Sequence, residues 1–395
     1  MKLKSVLQIT CGFCLFTFGA PRPAAALGPP QFVVDDDKVE CPNATFTRIQ
    51  DAVDAASSGS RIRICKGTYV EQVTISKALD LEADSGAILM PASMLANSVS
   101  LSSGRAIAAA LLVANTTNVT VRGLTFDGAN SGITQCAPDL IGIYFQNASG
   151  EVDRVAVRNF KLAASLNGCQ SGTGIFVQSG NGGMSQVEIH RSTIHDFQKN
   201  GITANEIGTS ASIDENVVTG LGPTTGAAQN GIQIGFGAAG SIQNNTVTNN
   251  VWAPCTSVAT CTAVATNILV TQSDGVIVKD NVAGLSQVGI FMHGNQGQVL
   301  ENRTFATSVF DGIHIEGDQA QVKRNDVFNG AQSAIFLDGN DNVVDHNVIT
   351  EAGTGILKVA GVVGNVIQSN DVFDTPVSVQ DPTFPKLSTL VVPMR

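Results

Sequence analysis

The chain has 395 residues, of which 43% are hydrophobic and only 14% charged, against about 25% charged in ordinary soluble domains. That balance excludes a disordered acidic chain, which needs low hydrophobicity and high charge. Asp and Glu (33) outnumber Lys and Arg (23) for a formal charge of −10, which argues against a duplex nucleic-acid binder, because phosphate neutralisation needs clustered cations.

The N-terminus reads as a secretory signal: Lys2 and Lys4, an apolar-rich run from Val6 to Phe18, then Ala24, Ala25 and Ala26. Residues 1–26 are expected to be removed, because the apolar run is shorter than the ~20 residues that span a bilayer. Loss of Lys2, Lys4 and Arg22 takes the charge from −10 to −13. No later segment is long and apolar enough to span, so a secreted or periplasmic chain is expected. Cys11 and Cys14 leave with the signal, and six cysteines remain, an even set suited to an oxidising compartment. Spacing alone leaves every pairing open; position in the repeat described below favours Cys41 with Cys65, Cys136 with Cys169, and Cys255 with Cys261. A zinc site lacks both a CxxC spacing and a nearby His, so no metal ligand is assigned.

Residues 27–66 read as an N-terminal cap. Thr47 precedes Ile49, Ala52, Val53 and Ala56 at helical spacing. A short amphipathic helix here would cover an open solenoid end and its unpaired strand edges. Arg61-Ile62-Arg63-Ile64 and the run from Tyr69 to Ile75 read as the first strands, with the repeat body assigned to residues 67–375.

In that body, strand-like runs open with Gly-Ile at Gly142, Gly174, Gly201, Gly231, Gly289, Gly312 and Gly355, with Asn267-Ile268 and Ala334-Ile335 filling two gaps. The last four steps between the Ile positions are 22, 23, 22 and 21 residues, the near-constant period of a solenoid. A second column comprises Asn216, Asn245, Asn281, Asn302, Asn325, Asn347 and Asn370. Asn at the same tight turn of each coil tolerates left-handed geometry and can bond its neighbours in the stack. A coil of this length, rich in Val, Ile and Gly without helical periodicity, is filled by short strands. The tail, residues 376–395, contains Pro376, Pro382, Pro385 and Pro393 and reads as an irregular cover.

On these repeats the chain resembles the right-handed parallel β-helix proteins of the pectin lyase-like superfamily, over roughly residues 40–375. The resemblance implies an all-β solenoid, a stacked-Asn turn, polysaccharide ligands and a site on one strand face. Fold does not fix function.

If each Ile packs inward, alternation places two columns outside. The first holds Tyr144, Phe176, Thr203, Gln233, Leu269, Phe291, His314, Phe336 and Leu357; the second holds Gln146, Gln178, Asn205, Gly235, Thr271, His293, Glu316, Asp338 and Val359. Tyr144, Gln146, Phe176, Gln178, Asn205, Phe291 and Phe336 are the candidate sugar contacts, since aromatic and amide side chains stack on and hydrogen-bond a glycan. His293, His314, Glu316 and Asp338 come from three successive coils and are the candidate catalytic groups, because neighbouring imidazoles and carboxylates tune one another for acid/base work. An ordinary cross-strand charge ladder is the competing explanation.

Gly67-Thr68-Tyr69-Val70-Glu71 is similar to a short motif of pectin methylesterases, whose later motifs find only stray matches in Asp196-Phe197 and Gln380-Asp381. The Gly-His-Gly and Arg-Ile-Lys elements that a polygalacturonase would show are absent, and neither outward column carries the Arg or Lys base of a pectate lyase. If the chain is an enzyme, it is a polysaccharide lyase, glycoside hydrolase or epimerase. No cofactor is expected; calcium would enter only as a bridge to polyuronates. The expectation is an exported, monomeric protein that binds and processes polysaccharide or a cell-surface glycan, preferably a neutral one. The alternative is a non-catalytic structural or adhesive surface protein.

Overall fold

Each turn of the chain consists of three short strands, as in Thr209–Asp214, Val217–Thr224 and Asn230–Gly235. The computed structural model describes residues 32–380; the expected signal segment and residues 381–395 of the tail lie outside the described residues. Successive coils stack into three sheets of 13, 12 and 13 strands among the described residues. Sheet 1 precedes the Asn turn, sheet 2 follows it, and sheet 3 carries the Gly-Ile runs. Pairing between neighbouring coils is parallel, as in Ile189 with Ile213 and Ile202 with Ile232. Ser98–Val99 is a local exception, pairing antiparallel with Ala106 and Ile107.

The core is one continuous column of β-branched and aliphatic side chains, including Ile213, Val218, Ile232, Ile242 and Val247, all fully buried. The Gly-Ile signal has a steric cause beyond turn chemistry. Both residues of the pair face inward: a Cβ on Gly201 would lie 2.5 Å from Val218 Cγ1, and one on Gly231 2.2 Å from Val247 Cγ1. Glycine at these coils lets sheet 3 pass that close to sheet 2, whereas Asn267 and Ala334 fill the same position in two other coils. The irregularity breaks strict alternation, so the residue before each Gly points outward, which adds a third outer column to the two expected.

The Asn column stacks as expected, but its roles are divided between two residues. The left-handed position is the residue before each Asn: Glu215, Asn244, Asp280, Glu301, Arg324, His346 and Ser369 have φ between 53° and 58°. The ladder Asn supplies side-chain bonds instead. Asn302 accepts the Asn281 amide at 3.0 Å, and its Nδ2 donates to Val278 O at 2.9 Å and Asn325 Oδ1 at 3.1 Å. Ser192 extends the ladder upward, its amide donating to Asn216 Oδ1 at 3.0 Å.

At the N-terminal end a seven-residue helix, Ile49–Ala55, buries Ile49, Ala52 and Val53. Thr47 does not cap it; Arg48 holds the cap position without a side-chain bond. Glu71 serves the free helix amides from a distance, accepting Ile49 N at 2.7 Å and Gln50 N at 3.1 Å. Tyr69 Oη donates to Cys65 O at 2.8 Å. The short methylesterase-like motif is thus the clasp between helix and first coils. Strands Phe32–Val34 and Ser60–Ile64 already belong to sheet 1, so the solenoid begins inside the segment assigned to the cap. The disulfides are Cys41–Cys65, Cys136–Cys169 and Cys255–Cys261.

Replacing Asn302 by Ala strands the Asn281 amide and the Val278 carbonyl. At ~1–3 kcal/mol per buried unsatisfied group, a loss of about 3 kcal/mol is expected in urea denaturation. The same change at Asn370 strands the Asn347 amide and the Val344 carbonyl, but these bonds are only partly buried on the last coil, where water can replace them, so a smaller cost of about 1 kcal/mol is expected.

Candidate functional site

The expected sugar-contact columns do form on the outer side of sheet 3, but they are closed. Tyr144, Phe176, Asn205 and Gln178 are at most 1% exposed, and Phe291 and Phe336 at most 3%. At the N-terminal end the cover is the segment around residues 99–102. Gln178 Oε1 accepts Leu101 N and Tyr144 Oη, both at 2.8 Å, while Gln146 Nε2 donates to Val99 O at 2.8 Å. Tyr144 stacks on Phe176 with ring centres 5.1 Å apart. These side chains therefore hold a loop down. Further along, the Cys255–Cys261 loop, Val309 and Phe310 form a second apolar cluster with Leu269, Phe291, Phe336 and Leu357.

Of the four candidate catalytic groups, the structure brings His314 and Glu316 together. His314 Nδ1 lies 2.8 Å from Asp311 Oδ2 and Nε2 lies 3.4 Å from Glu316 Oε1. Phe291 and Phe336 sandwich the ring at 4.5 and 4.4 Å. Asp311 also accepts Ser333 Oγ at 2.5 Å. Burial would lower the His314 pKa, but the Asp311 and Glu316 carboxylates override it and raise it to about 9. The imidazole is held between two carboxyl groups at its edge and two phenyl rings on its faces. His293 is partly exposed and makes no ion pair among the described residues, and Asp338 is buried one coil beyond Glu316. Asp311 and Ser333 escaped the sequence reading because strict alternation places them inside. The double inward steps at Gly312-Ile313 and Ala334-Ile335 turn Asp311 and Ser333 out.

The loops before sheet 3 are anchored by glutamines that the sequence reading also missed. Gln198 Nε2 donates to Leu166 O at 2.8 Å and Cys169 O at 2.9 Å. Gln287 accepts Ala265 N at 2.9 Å and donates to Trp252 O at 2.6 Å. A Gln two or three residues before the Gly of several repeats was the available signal.

On sheet 1, Glu151, Asp153 and His190 cluster closely enough to ligate a cation. Arg122 contacts Glu151 at 2.6 Å, and Arg191 and Arg154 contact Asp153 at 2.8 and 3.0 Å. Burial would push the Glu151 carboxyl up, yet His190 and Arg122 hold it below the usual range. Three guanidinium groups facing two carboxylates leave no negative charge for calcium to neutralise.

Open space lies at the edge where sheet 3 turns into sheet 1, directly beyond the buried Gln146, Gln178 and Asn205. A cavity of about 560 Å³ is lined by Leu101, Ser179, Asn181, Met184, Ile207 and Phe236, among others. A second, of about 650 Å³, shares Asn181 and is lined by Asn115, Thr116 and Asn147. Met184 and Ile207 are 76% and 80% exposed. No Lys or Arg is among the lining residues of either.

The fold so described is a three-sheet parallel β-helix, and it is shared with solved structures of distant sequence. A family model described as the periplasmic copper-binding protein NosD matches residues 243–383. No curated protein matches the chain by sequence. Among solved structures, the GH136 lacto-N-biosidase from Eubacterium ramulus superposes with a TM-score of 0.58 at 11% identity, covering 89% of this chain and 68% of that one. Its native form gives 0.57 at 12% identity, covering 87% and 67%. The A-module of mannuronan C-5 epimerase AlgE4 from Azotobacter vinelandii gives 0.47 at 12% identity, covering 85% and 94%. At these identities the likeness is one of fold.

The raised pKa of His314 makes a signed prediction. A folded-state pKa of about 9 against ~6.5 unfolded contributes stability that is complete below about pH 6.5 and lost as pH rises toward 9. The loss is at most roughly 3 kcal/mol at ~1.4 kcal/mol per unit. Melting curves at pH 6, 7.5 and 9 should show a decline in the wild type that is much smaller in His314→Gln.

Proposed function

We propose that this protein is exported and binds a neutral polysaccharide, without cleaving it, in the groove along the sheet 3–sheet 1 edge. The observation that carries this reading is the mixed lining of that groove. Met184, Ile207 and Phe236 offer apolar surface for the CH face of a pyranose, while Ser179, Asn181 and Asn147 offer donors and acceptors for its hydroxyls. The lack of lining cations disfavours a polyuronate. Three disulfides fit an oxidising compartment, and no helix among the described residues is long and apolar enough to cross a membrane. Binding without cleavage follows from Asp311, His314 and Glu316, which are buried and committed to one another. A general acid must reach its substrate within hydrogen-bond distance.

The double variant Met184→Ala, Ile207→Ala should lose at least about ten-fold in affinity for a neutral glycan identified on an array, the equivalent of ~1.4 kcal/mol. Its melting temperature should be unchanged, since both side chains are exposed. Equal binding by wild type and variant would refute the groove. Reducing ends released from the bound glycan by the wild type and abolished in Glu316→Gln would refute the non-catalytic reading.

A further inference from the structure

The outer face of sheet 2 carries an aromatic strip that the groove does not use. Register aligns Gly284, Phe305, Phe328, Thr350 and Phe373 on five successive coils. Phe328 is 36% and Phe373 54% exposed, and Phe305 is partly exposed. The inward positions of the same strands hold Val327, Ile349 and Val372, so these rings are surplus to the core. A Cβ on Gly284 would lie 2.4 Å from the Phe305 ring, so that ring lies flat along the sheet over bare backbone. The result is a line of partly exposed phenyl rings running along the solenoid axis, in a chain with only 5% aromatic residues.

The flanking column is Val282, Arg303, Asp326, Val348 and Asp371. Arg303 approaches Asp326 at 3.6 Å, Val348 is 41% exposed, and Asp371 adds a negative charge. The strip therefore has no excess cation to attract a polyanion, whether nucleic acid, polyuronate or acidic lipid. Its charge and its flat apolar faces suit an uncharged ligand with flat apolar faces of its own.

We propose that this strip binds an extended neutral polysaccharide chain lying along the solenoid axis, with Phe305, Phe328 and Phe373 stacked on pyranose rings. Coils repeat at about 4.8 Å, close to the length of one sugar unit in an extended β-linked chain, so ring and sugar spacing stay in phase over several coils. Thr350, between Phe328 and Phe373, places a hydroxyl beside the chain. The strip lies on the side of the triangular coil opposite the sheet 3–sheet 1 edge. It is a separate contact that stands whether or not the groove binds.

The test is sedimentation of the full chain with insoluble neutral polysaccharides, microcrystalline cellulose and chitin. Phe328→Ala, Phe373→Ala should reduce the bound fraction at least about five-fold, and Phe373→Ala alone at least about two-fold. Phe328→Tyr, Phe373→Tyr should sediment as the wild type does. Failure of the wild type to sediment with either polysaccharide, or equal sedimentation of the Ala and Tyr variants, overturns the proposal. Self-association in light scattering that is lost in the Ala variant would assign the strip to a second copy of this chain and would also overturn it.

Discussion

The constraint on which the structure depends is that every coil must hand its backbone hydrogen bonds to the next coil in register, with no lateral slack. Strands tolerate this readily, but the tight turn between sheets 1 and 2 does not, because its amides point along the stack with no strand partner. The Asn ladder supplies that partner: from Asn216 to Asn347, each backbone amide is received by the Oδ1 of the next Asn at 2.9–3.0 Å. A fixed polar residue at a fixed phase is the price of a long stack. It also explains the composition. Gly permits the close passage of sheet 3, Asn serves the turn, and Val and Ile fill a core too narrow for helices, leaving few positions for charge.

This is why so much of the fold was legible in the sequence. Gly-Ile and Asn recur because the geometry recurs, and the disulfides followed because Cys136 and Cys169 occupy equivalent turns of neighbouring coils. What was not legible arises where the repeat is broken or where distant segments meet. Glu71 reaches the helix amides from outside the helix, so no local signature announces it. The left-handed residue before each ladder Asn is chemically diverse, from Arg324 to Ser369, and leaves no pattern to read.

The candidate site was the part most exposed to this limit. Alternation correctly turned His314 and Glu316 outward from the core, but outward from the core is not the same as open to solvent. Loops of variable length fold over sheet 3, and their docking depends on single glutamines such as Gln287. Asp311 joins His314 only because Gly312 turns inward with Ile313, a step that alternation forbids. Together the four ionisable and aromatic layers around His314 make a buried charge tolerable: two carboxylates compensate it and two phenyl faces pack it. Such a charge confers specificity of packing more readily than net stability, and here it fixes how three coils and their covering loops meet.

A solenoid couples each coil only to its neighbours, so its surfaces vary independently of its core, and an exposed ring needs an account that the core does not provide. The groove and the phenyl strip lie on opposite sides of one rigid coil stack. A single extended glycan cannot engage both at once, because it would have to wrap the triangular section that the sheets hold flat. Two separate chains can. Simultaneous engagement then gains from effective concentration only where glycan chains are already close together, as in a gel or a wall. On the two binding proposals taken together, the arrangement would hold neighbouring polysaccharide chains at a set distance rather than process a single soluble chain.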